Sequence, residues 1–84
     1  MNATVNKNAE LADLGREQAK AIYDAMVSLN NVWGRLDVRL GGGLQVREKP
    51  DGRIEVVGNV GGRRKVLIVF SSQNAFATFY RLDD

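Results

Sequence analysis

The sequence predicts an α+β fold, with a long N-terminal helix packed on a four-stranded antiparallel β-meander and closed by a short C-terminal helix. Three observations carry this. Apolar residues recur at steps of three and four as far as Leu29, and the period then switches to two. The alternating stretches are separated by short connections rich in glycine, which join antiparallel neighbours. Helical spacing returns only after Ser71-Ser72. The chain has 84 residues, enough for one domain with a modest core.

Residues 1–7 are polar and aperiodic and read as a flexible tail, which leaves 8–84 as the domain. The helix is expected to follow Asn8, in "AELADLGREQAKAIYDAMVSLNN". Leu11, Leu14, Gln18, Ile22, Ala25 and Leu29 fall on one face. Asn6 or Asn8 can cap it, and Glu10 and Asp13 suit its first turns. Gly15 is expected to weaken its middle, or to mark a close approach of another element. Asn30-Asn31 ends it, because asparagine tolerates the left-handed conformation in which helices commonly finish.

In "VWGRLDVRL", Val32, Gly34, Leu36, Val38 and Leu40 alternate with Trp33, Arg35, Asp37 and Arg39, the pattern of a half-buried strand. A second strand carries Leu44 and Val46 against Gln45, Arg47 and Lys49. Pro50-Asp51-Gly52 is a tight turn, "RIEVVGNV" a third strand, Gly61-Gly62 another turn and "RKVLIVFSS" a fourth strand. Gly58 inside the third strand suggests a bulge or a close backbone approach. Ser71 or Ser72 then caps "QNAFATFYRL", where Phe76, Phe79 and Tyr80 stand at helical spacing.

The motif that most invites a functional reading is Gly41-Gly42-Gly43. A phosphate cradle needs a strand before the glycines and a helix after them, so that the helix N-terminus meets the anion. Here a strand follows, and no lysine and hydroxyl of a phosphate-binding loop stand downstream. The triplet therefore reads as a hairpin turn. Cysteine and histidine are both absent, which removes disulfides, the commonest metal ligand and the commonest general base near neutral pH. The expectation is a protein with no catalytic residues, no metal and no cofactor. No secretory pattern or spanning run is present, which predicts a cytoplasmic protein without a membrane partner.

Surfaces carry the remaining signal. Between residues 31 and 70, eight basic residues stand against four acidic ones, leaving +4; the rest of the chain has four against six, leaving −2. Strand parity places Arg35, Arg39, Arg47, Lys49 and Arg53 on the outer sheet face, with Arg63 and Arg64 in a nearby turn. Trp33 is in phase with that face and is a candidate interface anchor. Such a face suits phosphates, but readers of single strands also need stacking aromatics there, and only Trp33 has the parity.

In the fourth strand, parity sends Val66, Ile68 and Phe70 to the core and Leu67 and Val69 to the opposite face. At the edge of a meander this strand is a pairing hazard, which predicts that Leu67 and Val69 lie under the C-terminal helix or at a chain–chain contact, with a second copy in a homodimer or with a different protein. The function these features predict is a non-enzymatic protein-binding module whose protein partner the sequence does not name; a nucleic-acid-binding module using the basic face is the alternative. In size and in reliance on surfaces, the chain is similar in kind to small accessory proteins of phages and plasmids. Those often act as inhibitors that dock on a host protein, as anti-CRISPR proteins do. That similarity rests on no motif.

Overall fold

The computed structural model describes residues 3–4, 12–29 and 36–82. The elements run β1 (Ala3–Thr4), α1 (Arg16–Leu29), β2 (Leu36–Arg39), β3 (Gln45–Glu48), β4 (Ile54–Val60), β5 (Arg63–Phe70) and α2 (Gln73–Phe79). All strands pair antiparallel in one sheet of order β1-β5-β4-β3-β2. The meander of β2 to β5 with a helix before and after it is the predicted α+β layout. Among the described residues, no helix is long and apolar enough to cross a membrane.

Helix α1 begins later than the periodicity suggests. Gly15 has φ +73°, a left-handed conformation that ends any helix running into it and that glycine adopts without a Cβ penalty. The Asp13 carboxylate accepts from the Gly15 N–H at 3.0 Å, so Asp13 shapes a turn and not a first helical turn. Nothing lies within 4 Å of where a Gly15 Cβ would stand, so its role is conformational and not a close approach. Ala19, Ile22 and Met26 form the buried stripe, while Gln18 is exposed. The expected caps Asn6 and Asn8, the first apolar position Leu11 and the terminator Asn30-Asn31 lie outside the described residues.

The hairpin turns are where turn chemistry puts them. Gly41–Gly43 form a kinked turn between β2 and β3, with Gly42 and Gly43 left-handed at φ 75° and 81°, closed by the Leu40 N–H donating to the Leu44 carbonyl at 2.8 Å. Pro50–Gly52 close the next hairpin, with the Gly52 N–H on the Lys49 carbonyl at 2.9 Å. Helix α2 is capped by Ser72, whose hydroxyl accepts from the Ala75 N–H at 3.2 Å. It ends in a Schellman arrangement. Arg81 is left-handed at φ 58°, the Leu82 N–H reaches the Ala77 carbonyl at 2.9 Å, and Leu82 is buried.

The sheet's inner face, with Leu36, Val46, Ile54, Val56, Ile68 and Phe70, packs against both helices. Phe70 sits at the centre of an aromatic group, edge-on to Phe76 at 5.3 Å and to Phe79 at 5.2 Å between centroids. Tyr80 joins that group and donates its hydroxyl to the Ala12 carbonyl at 2.5 Å, tying the segment before α1 to the end of α2. Burial holds the Tyr80 phenol well above its ordinary range, and Asp13 acts in the same direction, so the hydroxyl stays a donor.

The fourth predicted strand, β5, corrects the parity reading. Val56 pairs with Ile68, but Val57 pairs with Val66, so Leu67 is an extra residue in a β-bulge. Leu67 and Ile68 are thus both buried at 1% exposure, and Val66 turns outward at 40%. Leu67 belongs to the core of its own chain and leaves no apolar surface for a chain–chain contact; Val69 is half-buried on the outer face. The end of β5 is not an edge either, since Ala3 and Thr4 pair with Phe70 and Val69.

Gly58 makes the bulge fit. A Cβ there would stand 2.7 Å from Leu67 Cδ1 and 3.2 Å from Leu44 Cδ2, the close approach its sequence position suggests. Because Leu67 is enclosed, it has no free rotamer to retreat to. We expect Gly58→Ala to destabilise the fold by about 1–3 kcal/mol in urea unfolding. Tyr80→Phe, which strands the buried Ala12 carbonyl, should lose about 1–3 kcal/mol by the same measurement.

Candidate functional site on the open face of the sheet

Both helices pack on the inner face, and no described element packs on the outer one. Register defines its rows. Asp37, Arg47, Glu55 and Val69 lie across β2 to β5, followed by Arg39, Gln45, Val57 and Val66, then Asn59 and Arg64. Lys49 and Arg53, joined by a backbone bond of 2.8 Å, extend the face at one end. The predicted positions Arg39, Arg47, Lys49 and Arg53 therefore do share this face. Arg63 and Arg64 are exposed but belong to β5 itself and not to a turn. Trp33 and Arg35 lie outside the described residues.

Several of these cations are already engaged. Arg47 donates to Glu55 at 2.8 Å, a cross-strand pair in register. Arg53 pairs with Asp51 at 2.8 Å; the Arg53 backbone N–H, and then its charge, hold the Asp51 carboxyl below the usual carboxylate range. Arg64 reaches over β4, donating to the Gly43 carbonyl at 2.7 Å and to the Gln45 amide oxygen at 2.5 Å. Gln45 in turn donates to Asp37 at 2.6 Å. This chain of bonds crosses Gln45, buried beside Val57, and fixes the Arg64 guanidinium. Arg39, Lys49, Arg63 and Lys65 have no ion pair among the described residues.

The apolar part of the face is compact. Val57 is 5% exposed although it belongs to the outer face, and Val66 and Val69 lie beside it on β5. A depression of about 400 Å³ lies next to this strip, lined by Arg39, Leu40, Gly43, Leu44, Gln45 and Arg64. Of the described aromatics, Phe70, Phe76, Phe79 and Tyr80 are grouped on the inner side, and Tyr23 on α1 packs against the core. The described part of the outer face thus has no stacking platform for bases.

One polar residue has the opposite environment. Glu48 is in phase with Leu44 and Val46, faces inward and is 5% exposed. Its Oε2 accepts from the Gln73 amide at 2.9 Å, while Oε1 is buried with no hydrogen-bond partner among the described residues. Strand parity was the signal that finds this inward carboxyl. Among the described residues, no three or more histidine, cysteine, aspartate or glutamate side chains are grouped to hold a metal ion. Comparison of the chain with protein-family models, curated proteins and solved structures finds no match.

A buried carboxyl between Leu36 and Ile54 in the ladder, with one oxygen unsatisfied among the described residues, costs stability that an apolar side chain of similar volume would not. We expect Glu48→Leu to raise unfolding stability by about 1–2 kcal/mol in urea, and Glu48→Lys to lower it.

Proposed function

We propose that this chain is a small non-enzymatic protein-binding module that docks the open face of its sheet on an acidic protein surface. The observation that carries this reading is the layout of that face. The exposed Val66 and half-buried Val69, packed beside the buried Val57, are surrounded by polar groups already held in place. Protein interfaces share that anatomy, an apolar centre inside a polar rim. Arg39 and Lys49, which have no ion pair among the described residues, supply a positive margin on this face that steers and orients an acidic surface. A module of this kind acts by occupying its partner, and blocking that partner is the simplest consequence.

The same arrangement argues against nucleic acid as the ligand. Phosphate binding draws on free cations, and Arg47, Arg53 and Arg64 are spent on Glu55, Asp51, Gln45 and Gly43. Base stacking would need aromatics that the described face does not present.

The test is affinity capture from the source cells with three forms of the chain: parent, Val66→Asp and Val27→Asp. Val27 is somewhat more exposed than Val66 but stands on α1, away from the sheet face. The parent and Val27→Asp should retain the same protein, and Val66→Asp should bind it at least about tenfold more weakly, as the loss of a central interface contact does. Equal retention by Val66→Asp would refute the docking face. Capture that disappears after nuclease treatment, or falls steeply with salt, would point to nucleic acid instead.

A further inference from the structure

We propose that β2 is a dimerisation edge, at which two copies of the chain join their sheets antiparallel about Val38. Strand β2 ends the sheet, and among the described residues nothing pairs with its outer edge. Its sequence, Leu36-Asp37-Val38-Arg39-Leu40, is symmetric about Val38 in polarity and antisymmetric in charge. Leu40 is extended, at φ −119° and ψ 166°, so the strand geometry continues that far.

The backbone selects the register. In an antiparallel ladder, successive residues bond alternately to one side and the other. The Leu40 N–H bonds inward to Leu44, so Leu40, Val38 and Leu36 face β3 with their polar backbone groups. The Lys49 to Arg53 bond fixes the same alternation on β3 from its other side. Within β2, Asp37 and Arg39 therefore present their N–H and C=O to the free edge. A two-fold pairing through these residues has three registers. Asp37 opposite Asp37, or Arg39 opposite Arg39, places like charges together. The register centred on Val38 sets each Asp37 opposite the other copy's Arg39, twice, with four interchain backbone bonds.

The side chains agree with that register. Asp37 and Arg39 are both exposed on the outer face. Asp37 Oδ1 is engaged by Gln45, which leaves Oδ2 for the second copy, and Arg39 has no ion pair among the described residues. On the inner face, Val38 meets Val38 and Leu36 meets Leu40 in non-hydrogen-bonded pairs, where side chains approach most closely. The axis stands perpendicular to the sheet, so both helix layers stay on one side and both open faces on the other. At the opposite margin of the sheet, Arg63, Arg64 and Lys65 head β5 with three consecutive cations, a guard against edge pairing that β2 lacks.

This inference does not depend on the reading of the open face, and its test needs only the purified chain. Sedimentation velocity from micromolar to millimolar concentration should show the parent in monomer–dimer equilibrium. Arg39→Asp alone and Asp37→Arg alone should each weaken the dimer at least about tenfold, by setting like charges opposite one another. Mixed together, the two variants should form a heterodimer, and the double swap Asp37→Arg with Arg39→Asp should restore the homodimer. Circular dichroism confirms that each variant is folded; if a single variant fails to fold, the double swap decides alone. A parent that is monomeric throughout overturns the proposal. So do single variants that dimerise like the parent, a mixture that stays monomeric, or a folded double swap that does not dimerise.

Discussion

The extra residue in β5 is the constraint on which the rest of the molecule depends. A strand of strict period two would place Leu67 on the outer face, with Val66 turned into the core. The bulge between Val56 and Val57 adds one position, so that Leu67 and Ile68 both enter the core and Val66 leaves it. Room for that crowding comes from β4, where Gly58 lets the Leu67 side chain lie against bare backbone. A small domain gains two enclosed aliphatic side chains from consecutive residues, each contributing roughly 1.5–3 kcal/mol of burial. The same twist of the chain sets Val66 beside Val57 on the open face. Core and candidate interface are two consequences of one inserted residue.

The open face is polar in composition but not loosely solvated. Asp37, Gln45, Arg64 and the Gly43 carbonyl form a continuous series of bonds from β2 to β5, and Arg47 is locked to Glu55 between β3 and β4. Isolated exposed ion pairs contribute little to stability. These bonds instead remove rotamer freedom from long side chains before any partner arrives, and a partner then meets a surface that has less entropy to lose. The basic character evident in the sequence is therefore divided. Arg47, Arg53 and Arg64 hold the face in shape, while Arg39 and Lys49 at its margins have no ion pair among the described residues.

Much of this architecture was legible in the amino acids, and the exceptions share a physical cause. Turns were legible because glycine, proline and serine act locally, at Gly41–Gly43, Pro50–Gly52 and the Ser72 cap. Sheet parity held through β2, β3 and β4 because alternation is enforced by pleating. It failed in β5 because a bulge changes phase without changing composition, and only the facing Gly58 hinted at it. The beginning of α1 was misplaced because Gly15 fits a helical repeat as well as a break, and its φ of +73° belongs to the backbone alone. Strand β1 escaped notice because two residues carry no period; pairing with Val69 and Phe70 makes them a strand. On the face itself, parity brought Arg39, Arg47, Lys49 and Arg53 together correctly, but no sequence pattern shows which arginines find partners across strands.

The two margins of the sheet are treated differently, and the difference has the form of a specificity device. Like charges in series repel a second copy wherever it slides, so Arg63, Arg64 and Lys65 discourage every register at once. Opposite charges two residues apart do the reverse for one register only. On β2, a shift that aligns Asp37 with Asp37 or Arg39 with Arg39 replaces attraction by repulsion, while the centred register satisfies both residues. In the proposed pairing the sheet grows across β2, while the cationic start of β5, beyond the short β1, works against pairing at the far margin. Closure of the proposed pair by a two-fold axis consumes the β2 edge of each copy, leaving β1 and the cationic start of β5 at the outer margins. Such an assembly would extend the open face across the junction.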